Sequence, residues 1–294
     1  MSQRFVLSPT DLDIIAECTL KFSLLKQWLP SQGGDLAYSD RASIEAVARE
    51  TLDRLHAGGG PYRLNLPATL RVLDQLLPEA YRDDVALKRT LRQMVANYHR
   101  RLKRDWSGVI ASNELMTLTI RLPRGAVRVE AAIDRVDREQ DGGITTVKFV
   151  ISADPIPEHS LEEDIETTAL HALGAAAYPH HRPVRVKYLW LHQNQEDIVE
   201  LTEKQYRRNL EIMKARLQAW QEGEVMARPG SHCDACPFKY DGCPVYANDL
   251  PPDAVPAADN EAHNLPTARP PATLSFRNSQ HVEESNFAET DFDP

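Results

Sequence analysis

No segment of this sequence approaches the roughly 18 uninterrupted apolar residues of a membrane-spanning helix. The opening text MSQRFVLSPTDLD lacks a basic stretch followed by an apolar run. Neither a membrane partner nor a secretory leader is expected, and a cytoplasmic setting is. Cysteine is scarce, with four among 294 residues. In a reducing compartment so few thiols suit metal ligands or free thiols better than two disulfides. A basic excess is absent too. The formal net charge is −9, and residues 251–294 carry eight acids against two arginines, leaving −3 for residues 1–250. A nearly balanced body neither requires nor excludes a nucleic-acid partner. The stretch 251–294 also lacks apolar periodicity and is rich in Pro, Ala, Asn and acid. It cannot bury enough surface to offset the entropy of ordering, so a folded domain over 1–250 and a disordered tail over 251–294 are expected. No internal repeat is visible.

What is present reads as alternating helix and strand. Ser8-Pro9-Thr10-Asp11 is a helix start, with Ser8 as cap, Pro9 in the first turn and Asp11 favourable to the dipole. The helix is expected to run to Trp28 and stop at Pro30, with Cys18 on or near its apolar face. A second helix is predicted over 42–56, ended by Gly58, Gly59 and Gly60, and a third over 81–106. The period then changes. MTLTIRL (116–122) and VRVEAAIDRV (127–136) alternate, and after Asp141-Gly142-Gly143 the β-branched run ITTVKFVI suits a buried strand. A helix over 161–178, a strand at VRVKYLWL and an amphipathic helix over 202–222 capped by Thr202 complete an α/β domain with a mixed central sheet flanked by helices.

Three of the four cysteines lie together as Cys233-x2-Cys236-x6-Cys243, and Cys18 is the remaining thiol. The spacing suits a soft metal or an iron-sulfur cluster. Structural zinc also takes four thiolates, though more often from two paired knuckles. Unrelated buried cysteines are the third reading.

Several stretches resemble one family. LSPTDLDIIAECTLKF is similar to the opening helix, AAIDRVDRE to the second core strand and EVMARPGSHCDACPFKYDGCPV to the closing text of the RecB-like PD-(D/E)XK nucleases. The resemblance is to their iron-staple branch, which includes the CRISPR-associated exonuclease and nuclease subunits of bacterial helicase-nucleases, and it covers about residues 5–247. It implies a restriction-endonuclease-like core whose N- and C-terminal ends are joined by a [4Fe-4S] cluster on Cys18, Cys233, Cys236 and Cys243. Binding such a cluster would add directly to folding free energy. It further implies a DNA substrate, as single strands or ends, a Mg2+ or Mn2+ ion, and a protein partner in a nuclease or helicase complex.

In the family, two carboxylates on adjacent strands hold the metal and a lysine steadies developing charge. The resemblance places Asp134 of Ile133-Asp134-Arg135 as the first acid and Lys148 as the lysine. At the second acid stands Thr146, a neutral and poor metal ligand. The family's histidine has no counterpart in SIEAVARETLDRL, and its Gln and Tyr are replaced by Ala169 and Leu173. Lost or weakened cleavage is therefore expected. Glu45, Glu50, Asp164 or Glu166 could lend a migrated carboxylate, whereas Glu130 lies about 13 Å along the strand from Asp134. A plain Asp134–Lys148 ion pair is the structural alternative, and an interaction scaffold that binds no nucleic acid is the functional one.

KRTLRQMVANYHRRLKR (88–104) holds Lys88, Arg89, Arg92, Arg100, Arg101, Lys103 and Arg104 without an acid. On a helix these surround an apolar stripe and form a candidate phosphate-binding face, or a merely solvated one. His180, His181, Arg182, Arg185 and Lys187 make a weaker second cluster.

Overall fold

A computed structural model describes residues 5–31, 38–151, 156, 160–234, 236–240 and 242–246. The expected tail, 251–294, lies outside the described residues. The chain divides into two units, Met1–Met226 and Ala227–Pro294.

In the first unit, helix α1 (Pro9–Glu17) begins as its sequence dictates. The Asp11 N–H donates to Ser8 Oγ at 3.1 Å and the Ser8 N–H donates back to the Asp11 carboxylate at 2.9 Å, a reciprocal capping box. The single helix expected to reach Trp28 instead breaks at Cys18, which is extended (φ −157°, ψ 107°). Helix α2 (Thr19–Ser31) starts at once. The break is held from outside: the Met226 N–H donates to Thr19 Oγ1 at 2.9 Å, and the Leu20 N–H donates to the Met226 carbonyl at 3.3 Å. Helix α3 (Tyr38–Ala57) ends at the expected glycines, where Gly59 and Gly60 take φ of 87° and 77°. A Cβ at Gly60 would come within 2.5 Å of the Trp106 ring, so this turn needs glycine for space as well as conformation. Helix α4 (Leu66–Leu76) was not anticipated, although Asn65 caps it and Pro67 sits in its first turn. Helix α5 (Val85–Asp105) follows.

The strands expected from alternation are longer than their clearest text. Strands β2 (Val109–Leu122) and β3 (Gly125–Arg138) form an antiparallel hairpin, and β4 (Ile144–Val150) extends the meander antiparallel to β3. Helix α6 (Ile165–Ala177) crosses to β5 (Val184–Trp190), which is parallel to β4. Strand β6 (Gln195–Val199) closes that side antiparallel, and the short β1 (Phe5–Leu7) pairs parallel with the start of β3. The order is β1-β3-β4-β5-β6 with β2 also on β3, a mixed sheet flanked by helices as expected. Helix α7 (Glu203–Gln221) starts at Thr202 with a second capping box.

Two apolar cores lie on the two faces of this sheet. Ile133, Val136, Ile144, Val184 and Val186 pack with Leu12 and Ile15 of α1 and with α6 and α7. Val147, Phe149, Ile151 and Leu189 pack with α3, α4 and α5. Each fully buried large side chain contributes about 1.5–3 kcal/mol, so both helical layers are firmly seated. Strand β4 alternates cleanly between them. Strand β3 does not: Ile133 and Val136 face the same core although three residues apart, which a period of two forbids. The irregularity falls at Asp134. The ladder with β2 pairs Ser112 with Arg135 and Glu114 with Ile133, and Asn113 between them takes φ 49°.

The second unit, over its described residues, is a run of tight turns beginning with a 3-10 turn at Ser231–Cys233. The Cys236 N–H donates to the Cys233 carbonyl at 3.2 Å, and the Cys243 N–H to the Phe238 carbonyl at 3.0 Å.

Candidate active site

Asp134 is buried, with 7% of its surface exposed. The paired residues of β3 and β4 end at Arg135 and Val147, just before it. Beyond that point the strands are joined by its side chain. The Phe149 N–H donates to Asp134 Oδ2 at 2.6 Å, Arg49 Nη1 of α3 pairs with Asp134 Oδ1, and Arg49 Nη2 donates to the Phe149 carbonyl at 3.2 Å. Carboxylate, guanidinium and peptide thus close a ring, and both oxygens of Asp134 have charged or amide partners. Burial pulls the Arg49 guanidinium below its ordinary range, opposed by two α3 carboxylates, Asp53 and Glu45. Burial pushes the Asp53 carboxyl up, opposed by Arg49, and Asn113 Nδ2 donates to it at 3.4 Å.

Lys148 follows the even positions of β4 to the other face. Its Nζ meets Glu166 Oε1 of α6 at 2.6 Å and lies 5.9 Å from the Tyr188 ring centroid. Thr10 Oγ1 donates to the same Glu166 oxygen at 2.7 Å. Asp13 of α1 accepts the Glu166 backbone N–H, yet burial first, then Glu17, Glu166 and Asp164, push its carboxyl up to about 6. The structure therefore does not form the Asp134–Lys148 ion pair considered above: Asp134 reaches α3 and Lys148 reaches α6, on opposite faces of the sheet. Of the four carboxylates named as migrated candidates, Glu166 is the one that touches Lys148.

Thr146 shares Lys148's face but is sealed there. It is 1% exposed, donates from Oγ1 to the Arg185 carbonyl at 3.2 Å, and lies against α6 where Gly174 leaves room for it. Below Asp134, Arg135 and Asp137 turn towards α5. Arg135 Nη2 donates to Asp137 at 2.6 Å and Nη1 to Tyr98 Oη at 3.3 Å, and His56 Nε2 lies 2.7 Å from that hydroxyl. Burial and the Arg135 charge push His56 down to about 4, so it stays neutral inside this network.

The thiols are placed as follows. In the first unit Cys18 is buried, with Sγ 3.7 Å from the Met226 carbonyl oxygen. In the second, Cys233 is buried with Sγ 3.7 Å from the Arg228 carbonyl, and Cys236 and Cys243 are half-buried. None forms a disulfide. Four free thiols are the right donors for an iron-sulfur cluster. Among the described residues, however, no group of three or more His, Cys, Asp or Glu side chains is arranged to hold a metal ion. The cluster expected on Cys18, Cys233, Cys236 and Cys243 is therefore not shown, its cysteines belonging to both units. What joins the ends of the first unit is the hydrogen bonding of Thr19 and Leu20 to Met226.

The basic run lies on α5, but its charges are not all available. Arg92 pairs with Asp74 at 2.6 Å, and Arg101 pairs with Glu196 and donates to the Asn194 carbonyl. Lys88 donates to the Arg82 carbonyl, Arg100 to Asn97, and Lys103 lies over the Tyr62 ring. Arg89 and Arg104 are exposed. In the second basic cluster Arg185 is paired by both Asp141 and Glu200, and Lys187 lies 3.9 Å from Asp137.

The family model of the PD-(D/E)XK nuclease superfamily matches residues 6–240. This chain belongs to that superfamily. No curated protein matches it in sequence. Among solved structures it is similar to SSO0001, at 11% identity over 83% of this chain and 88% of that one, with a TM-score of 0.40. It is also similar to a putative exonuclease from Eubacterium rectale, at 13% identity over 79% and 86%, with a TM-score of 0.42. Membership rests on the family match and not on these two structures.

Superfamily membership implies a divalent metal on paired carboxylates. The residues present do not fit one: Asp134 already holds a guanidinium, Thr146, where the resemblance expects the second acid, is a sealed hydroxyl, and Lys148 is on the far face. Arg49 belongs to none of the motifs through which the sequence resembles the family. A signal did exist. Glu45 and Asp53 lie four residues before and after Arg49, which puts all three on one helix face.

Proposed function

We propose that this superfamily member binds DNA, as single strands or ends, and that its metal-dependent cleavage is lost or strongly weakened. It would serve as the non-cutting member of a repair, recombination or defence assembly. The observation that carries the reading is the separation of Asp134 and Lys148 onto opposite sheet faces, each with its own internal partner. A phosphodiesterase of this class needs acid and lysine at one scissile bond.

The DNA-binding part rests on Lys88, Arg89, Arg100, Lys103 and Arg104 of α5, for none of which is a carboxylate partner found among the described residues. A salt titration of binding to end-labelled single and double strands tests it. Affinity falls steeply with salt if these groups meet phosphates, each neutralised contact adding about 0.7–0.9 to the log–log slope. Replacing Arg89, Arg100 and Arg104 by Gln flattens the slope. Absence of binding at low salt would leave the interaction-scaffold reading standing.

A second reading has one observation in its favour. Glu166 meets Lys148 at 2.6 Å, as a migrated second carboxylate would. If cleavage occurs and Glu166→Gln abolishes it, that reading replaces the first.

The four thiols extend the proposal to a [4Fe-4S] cluster that staples the chain. In support, Cys18 lies at the α1–α2 junction to which Met226 is bonded, and Cys233 follows Met226 by seven residues. Anaerobic purification with iron and sulfide analysis tests this part. About four irons per chain are expected, and Cys18→Ser should lose them. Iron retained in Cys18→Ser refutes the fourth ligand.

A further inference from the structure

We propose that Arg49 is the resident cation of the candidate active site, standing on Asp134 where a divalent metal would otherwise bind. This deepens the non-cleaving reading above and rests on it for the identity of the site, but it concerns a different property, metal affinity.

The geometry is that of an occupied carboxylate. Asp134 Oδ1 is held by Arg49 Nη1 and Oδ2 by the Phe149 N–H, so each oxygen already has a donor and a full positive charge already stands on the carboxylate. The second guanidinium nitrogen donates to the Phe149 carbonyl at 3.2 Å, which ties down the other arm of the fork. Arg49 therefore bonds two groups of the irregular β3–β4 junction at once through the fork of its planar five-donor side chain. A guanidinium keeps its proton under all working conditions, so it does not yield the carboxylate by titration.

Three acids act around this one cation: Asp134 by direct pairing, and Asp53 and Glu45 through space from one helical turn on either side. Arg49 offsets one of these charges, and the surroundings of Asp134 become more negative without it. Carboxylate oxygens in excess are what Mg2+ and Mn2+ select. The arrangement is then a metal site with an internal cation in the metal's place.

The test is Mn2+ binding to the full chain, read by electron paramagnetic resonance and calorimetry without DNA. The wild-type protein should show no Asp134-dependent site: Asp134→Asn leaves its Mn2+ isotherm unchanged. Arg49→Gln should gain one Mn2+ site at least tenfold tighter than any in wild type, and Arg49→Gln with Asp134→Asn should lose it. Arg49→Lys, which keeps the charge, should remain without the site. A wild-type isotherm that weakens tenfold or more in Asp134→Asn overturns the proposal, and this comparison stands even if Arg49→Gln does not fold. A folded Arg49→Gln that binds no more tightly than wild type overturns it as well. Failure of the DNA-binding reading would appear in the salt titration alone and would leave these isotherms untouched.

Discussion

Thr146 shows how far a single residue can mislead when read only against a motif. As a replaced acid it invites restoration, but its surroundings are apolar: Ile144, Val184 and Val186 share its core, and α6 lies directly over it. A carboxylate placed there would be buried without a cation. Thr146→Asp should therefore cost about 3–5 kcal/mol, the range for an uncompensated buried charge, and should not raise cleavage. Urea unfolding and a nuclease assay on one sample check both; a stable, cutting variant would contradict the geometry. Asp13 offers a second test at this scale. Its carboxyl is pushed up to about 6 from an ordinary 3.8. The native state thus holds a proton that the unfolded state has released, so stability from this group is full below about pH 3.8 and is lost as pH rises through 6. Asp13→Asn keeps an acceptor for the Glu166 N–H and removes the ionisation. It should be more stable than wild type at pH 7.5 by on the order of 1–2 kcal/mol and indistinguishable near pH 4. A constant difference across that range would refute the assignment.

At the scale of elements, Gly174 sets the distance between α6 and the sheet. A Cβ there would lie 2.7 Å from Thr146 Cγ2 and 3.3 Å from Val184 Cγ1. Gly174→Ala should therefore destabilise by about 1–3 kcal/mol through overpacking, despite alanine's better helix propensity. A gain in midpoint temperature would show that α6 can move away. Elements of this kind were readable where periodicity or capping was strong: α1, α7 and the β2–β3–β4 meander follow from Ser8, Thr202 and alternation. The short edge strands β1 and β6 carry too few residues to establish a period. Helix α4 had an Asn65 cap and a Pro67 first turn that could have announced it. The break at Cys18 was not legible, because its cause is a hydrogen bond from Met226, distant in sequence. For the same reason the site was only half legible. A motif names Asp134 and Lys148, and Lys148's face follows the alternation of β4, but the surroundings of Asp134 lie at an irregularity of β3 met by Arg49 of α3, which the motif does not contain.

For the whole molecule, two histidines, His56 buried and His171 half-buried, oppose Asp13 in acid. His56 and His171 are both pushed down to about 4, mainly by burial. Both stay neutral in the native state while the unfolded chain protonates them, so their contribution is full above about 6.5 and is lost as pH falls towards 4. The two effects cross in the same window, which confines the Asp13 effect to comparison between variants. Among the described residues no helix is long and apolar enough to cross a membrane. What remains is a superfamily fold that keeps two layers of helices on a mixed sheet but turns the two candidate site residues, Asp134 and Lys148, to different layers. The measurement that tests this most directly is cleavage of end-labelled single and double strands with Mg2+ and with Mn2+, wild type beside Asp134→Asn. The account predicts no cleavage that depends on Asp134, so that the two proteins give the same trace. Metal-dependent products that vanish in Asp134→Asn would contradict it.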